Sequence, residues 1–457
     1  MSTLHAKAAR RFNEDRDKTT WHDATFWSVR QKRDDMAFGL PEWEQLRDQA
    51  SQIKRHTISN LADYLERFSV QLESRGVVVH WAKDAADFNH TVLDILRQHG
   101  VTKMVKSKSM LTEECEMNPF LMANGIDVVE TDLGERILQL LGQKPSHIVM
   151  PAIHLKREEV GRMFEQKGIS HEPGNYDPTY LTACAREHLR NQFMEAGAGM
   201  TGCNFGVAAT GDVVVCTNEG NADMSTSMPK LHLVAMGIEK IVPDYQSLAV
   251  FQRLLCRSAT GQPTTAYTSH FRQARPGGEM HVILVDNGRS DILADPAHWE
   301  TLKCIRCGSC MNTCPVYRRS GGYSYTYFIP GPIGINLGML RDPRRYSDNV
   351  SACTLCLSCD NVCPTHVNPG SQVYLWRQRL DGLGRANESK KLMSEGMELL
   401  FEHPALYASA LSLAPLANLV PDNLTHIRPL NPWGVGHAMP HFARESFHTL
   451  WKKGKVK

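Results

Sequence analysis

Two stretches decide the reading of this chain. The first is Cys304-Ile305-Arg306-Cys307-Gly308-Ser309-Cys310-Met311-Asn312-Thr313-Cys314-Pro315, and the second is Cys353-Thr354-Leu355-Cys356-Leu357-Ser358-Cys359-Asp360-Asn361-Val362-Cys363-Pro364. Both read C-x2-C-x2-C-x3-C-P. Three thiolates on one tight loop suit three irons of a cubane, and the fourth cysteine, opening a helix that points away, reaches the other cluster. The spacing therefore predicts two [4Fe–4S] clusters with exchanged fourth ligands. Cys304, Cys307, Cys310 and Cys363 hold one, and Cys353, Cys356, Cys359 and Cys314 hold the other. Structural zinc is the competing assignment, but zinc sites use four ligands in two pairs and have no need of a repeated three-cysteine run closed by proline.

Outward from this cluster the composition narrows the class. The chain has 457 residues and thirteen cysteines, eight of them in the two runs. A chain this long buries a full core without disulfide staples, so its cysteines read as metal ligands or buried thiols. Lys and Arg number 51 against 49 Asp and Glu, a balance that argues against a nucleic-acid binder. The most apolar stretch, 405–420, is too short for a membrane span and is broken by Pro415 and Asn418. Polar Arg10 to Asp15 stand where a secretory signal needs an apolar core. The expectation is a cytoplasmic protein that is not an integral membrane protein.

Residues 1–70 read as a helical N-terminal arm that packs on another surface. Residues 71–295 alternate short apolar runs with amphipathic stretches, the pattern of an α/β domain with a parallel sheet. Strands are expected at Val77–Val79, near Met104, at Ile126–Glu130, His147–Met150, Val213–Cys216, near Lys240–Val242 and at Val282–Val285. Helices are expected near Asp84–Gln98, Glu114–Met122, Asp132–Leu141 and Leu181–Met194. Residues 296–385 form a helical dicluster domain, and 386–457 a helical C-terminal appendage.

Within the α/β part, Gly197-Ala198-Gly199-Met200-Thr201-Gly202 spells G-x-G-x-x-G, but it follows a helical stretch, whereas a dinucleotide fingerprint follows a strand and opens a helix. Asn218-Glu219-Gly220-Asn221 follows an apolar strand. Glu219 is either a catalytic carboxylate at the mouth of a sheet or a member of a plain turn. Lys106, Lys108 and Ser109 read as an anion pocket or as the cap of a helix. His147 and His154, and His437 and His441, lack metal-site spacing, and Cys203 and Cys216 read as buried thiols. Lys303, Arg306, Arg318 and Arg319 flank the first run, either raising a cluster's potential or lying solvated at the surface. Tyr317, Tyr323, Tyr325, Tyr327 and Phe328 read as packing residues of the insert or of a partner surface.

The stretches VKSKSMLTEECEMN (105–118), VVETDLGERILQLLGQKPSHIVMPAIH (128–154), TGCNFGVAATGDVVVCTNEGN (201–221) and GIEKIVP (237–243), with both cysteine runs and PGPIG (330–334), resemble the lactate utilization protein B family. The long insert between the runs is similar to that of the helical ferredoxin module of succinate dehydrogenase and heterodisulfide reductase subunits. The resemblance implies a LUD core similar to the sugar-isomerase and CoA-transferase type of fold, followed by the dicluster module. It implies a role in oxidising L-lactate to pyruvate with a cysteine-rich heterodisulfide-reductase-like subunit and a second, smaller LUD-domain protein. Ala209 and Asp223 depart from the family pattern. The expected function is an iron–sulfur electron-transfer subunit. The alternative is a self-sufficient enzyme whose LUD domain binds a small acid or CoA-like ligand, with the clusters as an internal relay.

Overall fold

The computed structural model describes residues 4–382, 388–421, 424 and 440–456; His437 lies outside them. The chain divides into two compact units, Met1–Gln378 and Arg379–Lys457.

The first unit is built on ten strands: β1 (Val78–Ala82), β2 (Lys103–Lys106), β3 (Asp127–Glu130), β4 (Ala198–Gly202), β5 (Phe205–Val207), β6 (Asp212–Thr217), β7 (Leu231–Gly237), β8 (Ile241–Val242), β9 (Tyr267–Phe271) and β10 (Glu279–Val285). Six form a sheet in the order β1-β10-β7-β4-β2-β3, with every pairing parallel. The other four form a second sheet, β8-β5-β6-β9, whose β5–β6 and β6–β9 pairings are antiparallel.

Both faces of the parallel sheet are covered, which explains why its central strands read as unbroken apolar runs. Leu233, Ala235, Ile283 and Val285 pack with Phe88, Val92, Leu96 and Leu121 from the helices Ala85–Gln98 and Met117–Ala123. The alternate residues Val234, Met236, Val282 and Leu284 pack with Leu65, Phe68 and Leu72 of the helix Leu61–Glu73 and with Val213 and Val215 of β6. Opposite neighbours along the strands, Val214, Phe205 and Val207, face Trp43, Leu46, Phe251 and Leu254. Ile305 and Cys307 of the first cysteine run belong to that same cluster. The first cysteine loop thus packs into the core of the first unit.

Several local expectations are corrected. His147–Met150 is a buried loop rather than a strand, because the His147 ring accepts the Val149 and Met150 N–H groups that a ladder would need. The helix expected over Glu114–Met122 is two short ones, Met110–Glu114 and Met117–Ala123, broken where Glu116 adopts φ 50°. β7, in the middle of the sheet, was not anticipated, although Leu231 to Met236 is apolar apart from His232. The glycines of the G-x-G-x-x-G letters serve packing. Gly199 lies in β4 against the helix Asn221–Ser227, where a Cβ would overlap the Ser225 carbonyl oxygen.

The N-terminal residues, expected to pack on another surface, pack within their own chain. The helix Arg16–Phe38 lies against Ser309–Thr313 and Pro315–Ser320. Phe26, fully buried, meets Tyr317 edge-on at 5.1 Å, and the Tyr317 hydroxyl donates to the Ser146 carbonyl at 2.6 Å. Tyr325 and Tyr327 are buried as well, leaving Tyr323 as the half-exposed tyrosine of the insert.

In the second unit, the helices Glu388–Glu402 and Pro404–Leu413 leave Leu392, Phe401 and Leu413 exposed. Among the described residues, no helix is long and apolar enough to cross a membrane.

Candidate functional site

The two cysteine runs wind alike. The second residue after the first cysteine, Arg306 or Leu355, has φ of 62° or 55°, and the residue after the second cysteine, Gly308 or Leu357, has φ of 79° or 57°. Left-handed leucines and arginine are strained conformations that L-residues rarely hold without a reason. Here the strain curls each loop inward. The Arg306 N–H points at Cys304 Sγ (3.4 Å), and the Leu355 N–H points at Cys353 Sγ (3.3 Å). Each fourth cysteine then precedes a proline. Cys314 caps the helix Pro315–Ser320, receiving the Tyr317 N–H at 3.5 Å, and Cys363 Sγ receives the Val367 N–H at 3.2 Å.

A small cavity is lined by Cys304, Cys307 and Cys310 together with Cys363 from the other run, and by Ile333 and Val367. Burial pushes the Cys307 thiol up to about 12, and Cys363 and Cys304 add to the shift. Burial likewise pushes Cys314 up to about 11, with Cys353 and Cys356 adding to it. Each fourth cysteine thus has the opposite run as its electrostatic neighbour. Four cysteine sulfurs in one lining fit a soft metal group, which replaces thiol protons on binding. Two N-terminal arginines brace the second run from behind: Arg33 donates to the Val362 carbonyl (3.2 Å) and Arg47 to the Cys363 carbonyl (3.0 Å).

A larger cavity of about 340 Å³ adjoins this one, and Cys307 and Ile148 line both. It opens at the carboxyl edge of the parallel sheet, where open α/β sheets bind ligands. Ser107 and Lys108 follow β2, Asp132 follows β3, Asn204 follows β4, Lys240 follows β7 and Arg289 follows β10. Glu219 also lines it, but from β6 of the second sheet rather than from the parallel sheet. Its carboxylate accepts the Leu133 N–H at 3.2 Å. Burial, reinforced by Asp132, raises it to about 7. Arg289 sits between Glu114 and Glu239 and pairs with both. Burial acts to raise the Glu239 carboxyl, yet Arg289, Lys240 and Arg306 overcome it and hold the group down at about 2.

The other motifs separate by function. Lys106 is buried between Glu130 (2.7 Å) and Glu113 (3.1 Å), so it is a structural ion-pair residue. Ser109 caps the five-residue helix Met110–Glu114, while Lys108 lines the cavity. Cys203 and Cys216 are cavity-lining thiols, each pushed up to about 12 by burial. Lys303 is buried against Glu300 and Ser51, whereas Arg319 is solvent-exposed beside Asp23. His147 is fully buried and bonds Asn312 at 3.0 Å. Neither Ala209 nor Asp223 lines the large cavity; Asp223 accepts from Ser269 at 2.7 Å.

Family profiles match the LUD domain over residues 65–290 and a 4Fe-4S dicluster domain over 300–367. A lactate utilization protein B of Bacillus cytotoxicus is 39% identical over 433 residues, 91% of this chain and 90% of its own. The chain belongs to the lactate utilization protein B family. A family member of Geobacillus thermodenitrificans is 41% identical over 83% of this chain and 81% of its own length. The uncharacterized electron transport protein YkgF of Escherichia coli is 37% identical over 92% of this chain and 90% of its own. A crystal structure of a DUF162 family protein from Deinococcus radiodurans covers 49% of this chain and 98% of its own, with 14% identity and a TM-score of 0.27. The chain is therefore an α/β LUD domain joined to an iron–sulfur dicluster domain and a helical C-terminal segment.

Proposed function

We propose that this chain is the iron–sulfur electron-transfer subunit of a multi-protein system that oxidises L-lactate to pyruvate. It holds two [4Fe–4S] clusters with crossed ligation, Cys304, Cys307, Cys310 and Cys363 at one and Cys353, Cys356, Cys359 and Cys314 at the other. The observation that carries this reading is the four-cysteine cavity drawn from both runs. The names of the family's lactate utilization proteins and of the electron transport protein of Escherichia coli support its physiological direction. When bound, the clusters supply one-electron relay chemistry, whereas lactate gives up two electrons. A two-electron acceptor therefore belongs to a partner, and a cysteine-rich heterodisulfide-reductase-like subunit and a smaller LUD-domain protein are the partners proposed.

The residues around the cysteines have defined tasks. Buried Lys54 and Lys303 act electrostatically on Cys304 and Cys363 respectively, and positive charge there favours the reduced cluster. Cys356 is exposed, so the second cluster is the one nearer solvent and suits exchange with a partner. Anaerobic co-purification tests the proposal. The expected result is roughly eight irons and eight sulfides per chain, with partner subunits retained. Zinc in place of iron, or lactate oxidation by the isolated chain at the full rate of the assembled system, would overturn it. The latter result would favour the self-sufficient enzyme, which the cavity beside Cys307 and the raised Glu219 carboxyl support.

A further inference from the structure

Histidines 80, 99 and 281 meet Glu279 at the amino edge of the parallel sheet, the edge opposite the large cavity. Glu279 opens β10 and His281 lies two residues on, so both side chains project from one face of the strand. The helix Ala85–Gln98, whose C-terminal cap is His99, covers that face. His80 comes from the adjacent strand β1. Glu279 bridges two of the rings: Oε2 lies 3.2 Å from His99 Nε2, and Oε1 lies 2.7 Å from His281 Nε2. His281 Nδ1 in turn lies 2.9 Å from His80 Nε2. His232 of β7 stands apart from this group, on the other face, bonded to Thr201 and edge-on to Phe271. Neither cavity described above is lined by any of the four clustered residues.

The geometry of this cluster suits a metal ion. One donor atom from each of His99, Glu279 and His281 lies within 4.8 Å of the other two. Ligands held tetrahedrally at about 2.0 Å are about 3.3 Å apart, so the two nitrogen–oxygen separations are already near that spacing. The third closes by rotation of His99, whose side chain is 31% exposed. The far side of each ring is held as a metal-bound imidazole requires. The Ile95 carbonyl, which only accepts, keeps the His99 proton on Nδ1 at 2.8 Å and leaves Nε2 as the ligand atom. His281 Nδ1, by donating to His80 Nε2, turns its own Nε2 lone pair toward Glu279. Two imidazole nitrogens and one carboxylate are the donor set of zinc and its first-row neighbours, whereas Mg²⁺ and Ca²⁺ take oxygen ligands. Three protein ligands leave a fourth position for water, and the Glu279 side chain, 47% exposed, leaves it accessible to solvent.

We propose that His99, His281 and Glu279 bind one zinc-type divalent ion, with His80 orienting His281 and water in the fourth position. The ion ties the end of the helix Ala85–Gln98 to β10, with three coordinate bonds in place of the Glu279 bridge. It is a different centre from those of the cysteine runs, and its binding requires no cluster.

The test uses full-length protein purified anaerobically, its iron and sulfide measured before and after treatment with a mild chelator. Zn²⁺ is then titrated against a chromophoric competitor. The expected result is one zinc per chain in addition to the iron, which Mg²⁺ does not displace. Zinc-edge X-ray absorption should show nitrogen and oxygen at about 2.0–2.2 Å and no sulfur at about 2.3 Å. His80→Phe, which removes the orienting bond, should weaken binding roughly 10- to 100-fold. His99→Ala and Glu279→Gln, at partly exposed positions, should each exceed that loss and leave iron content unchanged. Zinc uptake no greater than that of the His99→Ala/Glu279→Gln double variant overturns the proposal. Sulfur in the zinc shell of iron-replete protein overturns it too, by assigning the metal to cysteines, as does equal affinity for Mg²⁺. Zinc in the cysteine runs in place of iron would instead defeat the electron-transfer reading, and the difference in zinc content between the parent and the double variant would still decide this one.

Discussion

Replacing Cys363 by serine separates crossed from uncrossed ligation. Cys363 lies 49 residues beyond Cys314 in sequence, yet it lines the small cavity with Cys304, Cys307 and Cys310. A serine hydroxyl is a harder and poorer ligand for iron–sulfur iron than a thiolate. Cys363→Ser should therefore cost the first-run cluster, about four of roughly eight irons, and leave the other in place. Cys307→Ser should lose the same four. The double variant Cys363→Ser/Cys307→Ser should lose no more than either single one, because both remove ligands of one centre. Cys356→Ser should remove the other cluster, and its loss should add to that of Cys363→Ser. Iron and sulfide analysis on anaerobic protein gives the counts, and EPR of the reduced variants identifies the surviving signal. Additive loss in the 363/307 pair, with no further loss in the 363/356 pair, would show that each run keeps its own fourth cysteine, and the crossed assignment would fall.

Three further outcomes follow from other parts of the structure. Glu219 titrates near 7 in the folded chain against about 4.5 when free, so the folded state binds its proton more tightly and loses stability as pH rises through that window. Glu219→Gln should match the parent's Tm near pH 4.5 and exceed it at pH 8, while lowering lactate oxidation by the assembled system with iron unchanged. Equal Tm values at pH 8 refute the burial argument, and full activity with saturating lactate and partners makes Glu219 a turn residue. Arg289→Met strands the Glu114 and Glu239 carboxylates, and breaking a buried pair in this way costs about 3–5 kcal/mol; an unchanged melting curve would contradict it. Gly199→Ala should yield misfolded protein because its Cβ meets the Ser225 backbone, whereas Gly197→Ala meets only the movable Val101 side chain and should fold. Equal Tm for the two would refute the close approach of β4 to the helix Asn221–Ser227.

The spacing of the cysteines carried the cluster motif by itself, because ligand geometry on a short loop depends on a few consecutive residues. The parallel α/β class was legible for the same kind of reason: helices such as Ala85–Gln98 and strands such as β10 declare themselves through local periodicity and apolar runs. Local pattern failed at His147–Met150, where a side chain captures the backbone donors, and at the Asn-Glu-Gly-Asn turn, whose strand proved to belong to the second sheet. It also had no means of showing that the N-terminal helix Arg16–Phe38 and the insert tyrosines close on their own chain, since those contacts join residues some 300 positions apart. Only the tertiary structure brought Ser107, Glu219, Lys240 and Arg306 to one cavity and set Cys307 in its wall. Four separate loops supply those residues, and their meeting point is decided by strand order and by the packing of the cysteine loop on the second sheet, neither of which any single stretch of sequence encodes.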